Sequence, residues 1–552
     1  MSNLINSAMS GLNAAQNALS TTSNNISNYA VAGYSRQSIM LAQAKSTLAG
    51  AQFYGNGVTT AGVNREYDRF ISAQLRGATA INSGLATQYD QVSNIDNLLA
   101  DSTTSISSSI QSFFSSVQNV VNSADDPSAR TTLLGSAADL VNRFKTTDDY
   151  LRGLDASVNT SIASNVDQIN TYSSQIANLN NQIARLKGAG AGNAPNDLLD
   201  QRDQLVNQLN QLVGVNVSQQ DGGSYIISTA AGVNLVQGDS YNKLAAVPSA
   251  KETDRLTVAS VDPITGATSE IAEKYLNSGS LGGVIQFRSQ NLDPARNQLN
   301  QLALTLADSF NIQHEQGYDA HGAKGEAFFN FGSAALVGNS KNSGMASLSA
   351  SYTDSSAVTS SDYQIDFDGS QWNVTRLSDN STVSVTSGKD GNGNPTLSFD
   401  GLQIRISGQA AARDSFLLKP VSNVIAGMGV NVTDESQIAA AGSQGSGQSD
   451  NENATKLLAL QTKKVVNGRS TLTQAYASLV ASVGNQTDTL KTTSTTQAAV
   501  VTQLTSQQQS VSGVNLDEEY ANLTRYQQYY TANARVLQTA STTFDALIGA
   551  LS

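Results

Sequence analysis

His314 and Glu315, followed by Asp319 and His321, are the residues whose types come nearest to a metal or acid-base site, and they hold both histidines of the chain. A helical metal motif needs two imidazoles on one face, three or four residues apart. Here they are seven apart, and Gly317 and Gly322 put the stretch in a loop. Asp390, Asn392 and Asn394 alternate like the start of a calcium loop. Pro395 stands where the turn glycine belongs, however, and Gly401 where the bidentate glutamate belongs, so the spacing reads as a β-turn. Gly188-Ala189-Gly190-Ala191-Gly192 is glycine-rich but follows a helical pattern and lacks the Gly-Lys-Ser/Thr ending of a phosphate loop, so it reads as a helix-helix turn. With no cysteine and no Gly-x-Ser-x-Gly elbow, thiolate chemistry is excluded and a serine triad has no support. A carboxylate pair of the glycosidase kind stays open, since acids abound and nothing singles two of them out. The sequence therefore nominates no catalytic, metal or cofactor-binding residue, and no cofactor is expected.

Composition points the same way. The net charge of -12 opposes phosphate-backbone binding, so nucleic acid is not an expected partner. No run approaches the apolar length of a membrane span, and the start, Met1-Ser2-Asn3-Leu4-Ile5-Asn6, lacks the charged and apolar regions of a cleavable signal. Export, if it occurs, needs another route. At 552 residues several domains are expected.

The elements that organise the chain lie at its ends. Residues 1 to 64 carry no acid and only Arg36 and Lys45 as bases, and all seven prolines fall between Pro127 and Pro420, leaving both ends free to be helical. Leu4, Ala8, Leu12, Ala15, Leu19 and Ile26 recur every three, four or seven residues and predict one helical stripe. Leu516, Tyr520, Leu523, Tyr530, Leu537, Phe544, Leu547 and Leu551 do the same at close to a coiled-coil period. The outer faces of Asn, Ser, Gln and Ala are unlike the charged face of a solitary surface helix. Two such helices suit each other, and an isolated one is marginal in water. Both ends are thus expected to order on assembly.

Between them, Val92 to Val120, Leu133 to Leu151 and Val158 to Leu186 predict three long helical stretches. Leu198 to Val213 continues in helix, strands follow at Ser224–Ser228 and Leu256–Val258, and a further helix spans about Leu292 to Ile312. A second β-rich region, either sandwich or barrel, covers Tyr363 to Leu418 before helical spacing returns from Leu457 to Leu490. The fold class is multidomain α+β. It has paired terminal helices forming a coiled-coil-like end, a long-helix rod body and an inserted β-rich outer domain. The expected divisions are 1–50 with 500–552, 51–344 with 421–499 including a β segment near 214–280, and 345–420. Helix, sheet, helix implies a chain that runs out and returns, with its termini together.

The string Asn24 to Gln37, NNISNYAVAGYSRQ, is similar to the amino-terminal signature of bacterial flagellar axial proteins, through Asn25, Ile26, Asn28, Gly33 and Tyr34. Ser27 replaces the usual Ala, and Val31 stands where rod and hook members carry Thr; Val-Ala-Gly-Tyr is nearer the hook-associated junction members. Ser512 to Leu523, continuing to Gln528, resembles the matching carboxy-terminal end. Asp126-Pro127-Ser128, Asp197 to Asp203 and Gly317 to Phe329 resemble internal segments, so the likeness covers most of the chain and is weakest in 345–420. It implies a secreted, non-enzymatic subunit of the flagellum joining hook to filament, assembled as a ring with hook protein below and a second junction protein above. It further implies type III export and a cytoplasmic chaperone on the carboxy-terminal helix, whose Leu523 to Leu551 stripe would serve both partners in turn. Another axial component, or remotely an adhesin or glycosidase, are the competing readings.

Overall fold

The computed structural model describes residues 2–49, 52–101, 105–190, 195–220 and 222–551. Among the described residues ten α-helices carry the architecture: α1 (Ser2–Asn28), α2 (Arg69–Ala100), α3 (Ile106–Asn122), α4 (Pro127–Ala189), α5 (Asn196–Leu212), α6 (Gly279–Gln286), α7 (Asp293–His314), α8 (Glu452–Ala459), α9 (Leu472–Ser512) and α10 (Leu516–Leu551). They nest: α1 pairs with α10, and α2 with α9. Side chains fix the direction of the second pair, since Gln508, Gln497 and Tyr476 of α9 reach Ser72, Ala78 and Leu99 of α2 in turn. The chain therefore runs out and comes back antiparallel, as the order of its elements implied.

Two of the expected helical stretches, 133–151 and 158–186, are one helix. Asp126 caps α4 by accepting from the Ser128 amide, Pro127 takes the first turn, and no further proline comes before Pro195, so none interrupts 63 residues of helix. At 1.5 Å per residue that is about 95 Å of rod. The stretch from Val92 to Val120 is instead two helices. Ser105 accepts from the Ser107 amide and so starts α3 afresh, five residues after α2 ends. The helical return from Leu457 is likewise split into α8 and α9, with Thr471 and Gln474 forming a capping box at the start of the latter. Of the glycine-rich run, Gly190 ends α4, while Ala191 and Gly192 lie outside the described residues.

An antiparallel hairpin not foreseen from sequence, Gln37–Gln43 with Val58–Arg65, follows α1 and crosses residue 50; residue 500 lies inside α9. The first β region holds a four-stranded sheet from Val215 to Tyr241 and a three-stranded sheet from Leu244 to Glu270. The second is a sandwich. A five-stranded antiparallel sheet centred on Tyr363–Phe367 faces a four-stranded one centred on Pro395–Phe399 and Leu402–Ser407, with the Tyr363 and Phe399 rings 5.2 Å apart edge to face. Between body helices and loops the core closes around Phe113, Phe310, Phe328 and Phe329, with ring centroids 4.8–6.4 Å apart.

Candidate functional site: the terminal helix pair and its joint

Asn25 faces Glu519, and a Cβ built on Gly11 would come 2.4 Å from Asn533 Oδ1, so α1 and α10 run antiparallel in a fixed register. The buried seam of α1 is small and polar: Ala8, Ala15, Ala18, Thr22 and Asn25, with Gly11 at the closest approach. This revises the expected stripe. Ala8 and Ala15 lie in the seam, but Leu12, Leu19 and Ile26, seven residues apart, flank it half-buried, and Leu4 is exposed. Close packing of two backbones needs small residues between them, which displaces the larger ones to the side. An adjacent side of α1 is covered by the hairpin, where Asn17 donates to Thr60 and the Val58 amide donates to Ser10, while Met9, Asn13, Gln16, Ser20 and Asn24, opposite the seam, are exposed. Its uncharged Ser and Asn face is thus partly used within the chain.

On α10, Leu516, Leu523 and Leu537 are half-buried along the seam, and Ala540, which sequence reasoning passed over, is buried. Tyr520, Tyr530, Phe544 and Leu547 are exposed, Phe544 by 48%. Leu551 ends the helix, and its side chain lies outside the described residues. The register brings Ala540 level with the first turn of α1, so α10 outruns its partner, and residues 541–550 are exposed throughout.

The signature residues build the joint at the other end of the pair. Asn25 is 1% exposed and its amide is fully used. It donates to Gln37 O (2.9 Å) and Glu519 Oε2 (3.1 Å), and it accepts from Tyr34 Oη (2.8 Å) and the Gln37 amide (3.0 Å). Glu519 is equally buried and takes Arg36 Nε at 2.8 Å, while Arg36 Nη1 holds Glu518 at 2.9 Å. Burial, then the carboxylates of Asp200 and Glu519, push the Tyr34 phenol up to about 12, so it remains a donor. Gly33 has φ +85, the left-handed turn that brings Tyr34 back onto Asn25. The Asn28 side chain bonds only to Asn24 of its own helix, and Ile26 is half-buried. The signature thus divides into one network residue, one turn, one lid and two local supports.

The joint continues into the body. Asp200 on α5 accepts from the Ser35 amide (3.1 Å) and from Arg65 (2.9 Å), and Arg65 also reaches Asp203 at 2.8 Å. Burial holds the Asp200 carboxyl above the usual range despite these donors. Burial opposes the Arg65 charge, but Asp203 and Asp200 outweigh it. Tyr225 donates to Asp203 at 2.9 Å beneath the Arg202 guanidinium, 3.4 Å from its centroid. Arg36, Arg65, Asp200, Asp203 and Glu519 were missed as site residues. The available signal was charge: Arg36 is one of two bases in the first 64 residues and meets an Asp517-Glu518-Glu519 run.

The chemically suggestive residues have structural places. His314 is fully buried, accepting from the Ala439 amide at Nε2 (2.9 Å) and donating from Nδ1 to Glu326 O (2.7 Å), with both nitrogens occupied. His321 lies in a turn held by Asp319. Asp390 accepts from the Asn392 and Asn394 amides in a hairpin turn. Among the described residues no group of three or more His, Asp or Glu side chains could hold a metal ion, and no helix is long and apolar enough to cross a membrane.

Comparison with known proteins agrees with the ends first. Residues 5–34 match the description "Flagella basal body rod protein" and residues 506–550 "Flagellar basal body rod FlgEFG protein C-terminal", which sets the class as flagellar axial proteins. Residues 92–329 match "Flagellar hook-associated protein FlgK helical domain" and 337–420 "Flagellar hook-associated protein 1, D2-like domain". Flagellar hook-associated protein 1 of Salmonella typhimurium is 58% identical over 99% of this chain and 100% of its own. That of Escherichia coli K12 is 57% identical over the same shares. The solved flagellar hook junction protein FlgK of Burkholderia pseudomallei is 30% identical, with a TM-score of 0.75 over 80% of this chain and 100% of that one. The chain belongs to the flagellar hook-associated protein 1 family, the junction proteins between hook and filament.

Proposed function

We propose that this non-catalytic chain joins the hook to the filament by polymerising through an assembly unit of residues 1–65 with 513–552. Subunits close into a ring, with hook protein on one side and a second junction protein on the other. The observation that carries this is the apolar surface left on the terminal pair: Tyr530, Phe544, Leu547 and Ile548 on α10, with Leu12, Leu19 and Ile26 flanking the seam. Burying each large side chain against a neighbour contributes about 1.5 to 3 kcal/mol, available only on assembly. The same stripe serves the cytoplasmic chaperone before type III export, so the two partners exclude each other.

The seam and the outer stripe have separable roles. Leu537→Asp attacks the pairing of α1 with α10, whereas Phe544→Asp with Leu547→Asp attacks only contacts to other chains. Both variants should leave cells without attached filaments, and only the first should alter the monomer. Normal filaments on cells carrying the Phe544 and Leu547 pair would refute the outer stripe. In the monomer, limited proteolysis should trim the α10 overhang and the first turns of α1 before the joint at Asn25 and Glu519 is reached.

A further inference from the structure

The contiguous apolar core of the molecule runs from Val92 to Val483 and takes in no residue of α1, α10 or the hairpin. What ties the terminal unit to the body is polar: the Ser35 amide on Asp200, Arg65 on Asp200 and Asp203, Asn196 on Val63 O, and the Arg36 amide on Ser512 O. A seat without an apolar core is one on which two units move relative to each other. Only two backbone segments cross it, 66–68 and 513–515. At their crossing lies a cleft with the terminal unit on one wall (Tyr29, Val31, Gly33, Glu518) and the body on the other (Arg76, Gln204).

The charges on the two walls are unequal in their commitments. Among the described residues Arg76 has no ion-pair partner. Glu518 is more than half exposed and holds Arg36 Nη1, but Arg36 keeps buried Glu519 through Nε whether or not Glu518 stays. Glu518 can therefore leave without stranding a buried cation, and the free cation waits across the gap.

We infer that the terminal helix pair swivels on the body about this joint, and that Arg76 closes the cleft by taking Glu518 from Arg36. The structure holds the open state. In the junction reading, on which the use of this swivel rests, each subunit thereby adjusts the angle between inner helices and outer body. Glu518 trades a guanidinium it shares with Glu519 for one it has to itself, and the difference between two exposed pairs, at most about 1 kcal/mol, biases the two states by up to roughly fivefold, enough to tilt a swivel without locking it.

The chain has no cysteine, so a label pair is clean. Spin labels on Thr531→Cys and Asp90→Cys in the full chain, read by pulsed dipolar spectroscopy, should show two distances. The shorter distance should lose up to about fivefold of its population between 0.1 and 1 M salt, as screening erases the difference between the two pairs. Glu518→Lys and Arg76→Glu should each leave the open distance, and the double reversal Arg76→Glu with Glu518→Arg should restore both. One distance unaffected by salt and charge, or a double reversal that does not restore the second, overturns the latch. The salt series on the otherwise unaltered chain decides the matter even if a charge variant folds poorly. Filament attachment in cells is a separate readout: its retention alongside a failed latch would leave the junction reading intact.

Discussion

Replacing Asn25 with Ala removes four hydrogen bonds at once. One is to the buried Glu519 carboxylate, worth about 1.5 to 3 kcal/mol as a bond to a charged group. The Tyr34 hydroxyl and both Gln37 backbone groups lose their partner as well, and Gln37 is open enough for water to replace part of the loss. Together these come to about 4 kcal/mol of joint stability. Opening of the joint should then rise about a thousandfold, since each 1.4 kcal/mol is tenfold. Hydrogen exchange reads this directly at three amides: Arg36, bonded to Ser512 O; Glu66, bonded to Arg36 O; and Glu519, bonded to Asn515 O. Asn28→Ala is the control, because the Asn28 side chain bonds only within its own helix, and it should change those amides less than threefold, the scale of about 0.5 kcal/mol. Unchanged protection in Asn25→Ala, or equal losses in both variants, would show that the network does not hold the joint.

Burial holds the His314 imidazole down to about 4, below an unfolded value of 6.5. A depressed histidine adds stability that is present above 6.5 and lost as pH falls towards 4, about 3 kcal/mol in all, and acid unfolding of a His314→Gln variant should lose that slope. Asp362 shows the opposite sign, since burial first and then Asp293 and Glu252 raise its carboxyl to about 6 against the opposing pull of Lys419 and Arg255. Its contribution is full below 3.8 and is lost as pH rises through 6, so Asp362→Asn, keeping the Asn297 bond, should raise the melting temperature at pH 7 and flatten that part of the profile. Gly11→Val should cost the seam about 1 to 3 kcal/mol, read as lost protection at Ala15 and Ala18, and Asn533→Ala should return most of it; no rescue would mean the close approach is not at this pair.

Periodicity made the helices legible, because long apolar stripes at 3.5 to 3.6 residues admit few alternatives. What periodicity could not show was where polar side chains cap a helix: Ser105 splits a stripe that continues in phase on either side, whereas Gly153 leaves one unbroken. The hairpin after α1 was hidden for a different reason. Its strands bury no side chain fully, and the half-buried positions of the second, Val58, Thr60, Gly62 and Arg65, are not an apolar set, so no hydrophobic alternation marks it, and only Gly55-Asn56-Gly57 and the β-branched run from Val58 gave a signal. At the site, spacing favoured large residues: on α10 Leu516, Leu523 and Leu537 are half-buried while Tyr530, Phe544 and Leu547 are exposed, and the α1 seam is set by what is small enough to let Gly11 approach Asn533. The joint depends on charges brought together from residues 36, 65, 200, 203 and 519, a juxtaposition that only the folded chain supplies.

The antiparallel register of α1 and α10 puts the start of one helix and the last turns of the other at the same end of the pair, with α10 overhanging. A pull on either terminus therefore peels the seam open one turn at a time, each step breaking only an alanine contact or two. A load carried sideways through the outer faces must shear every contact from Ala8 to Asn25 together. The same two helices are thus weak in the direction from which a thread would be drawn and strong in the direction from which a rotating fibre would twist them.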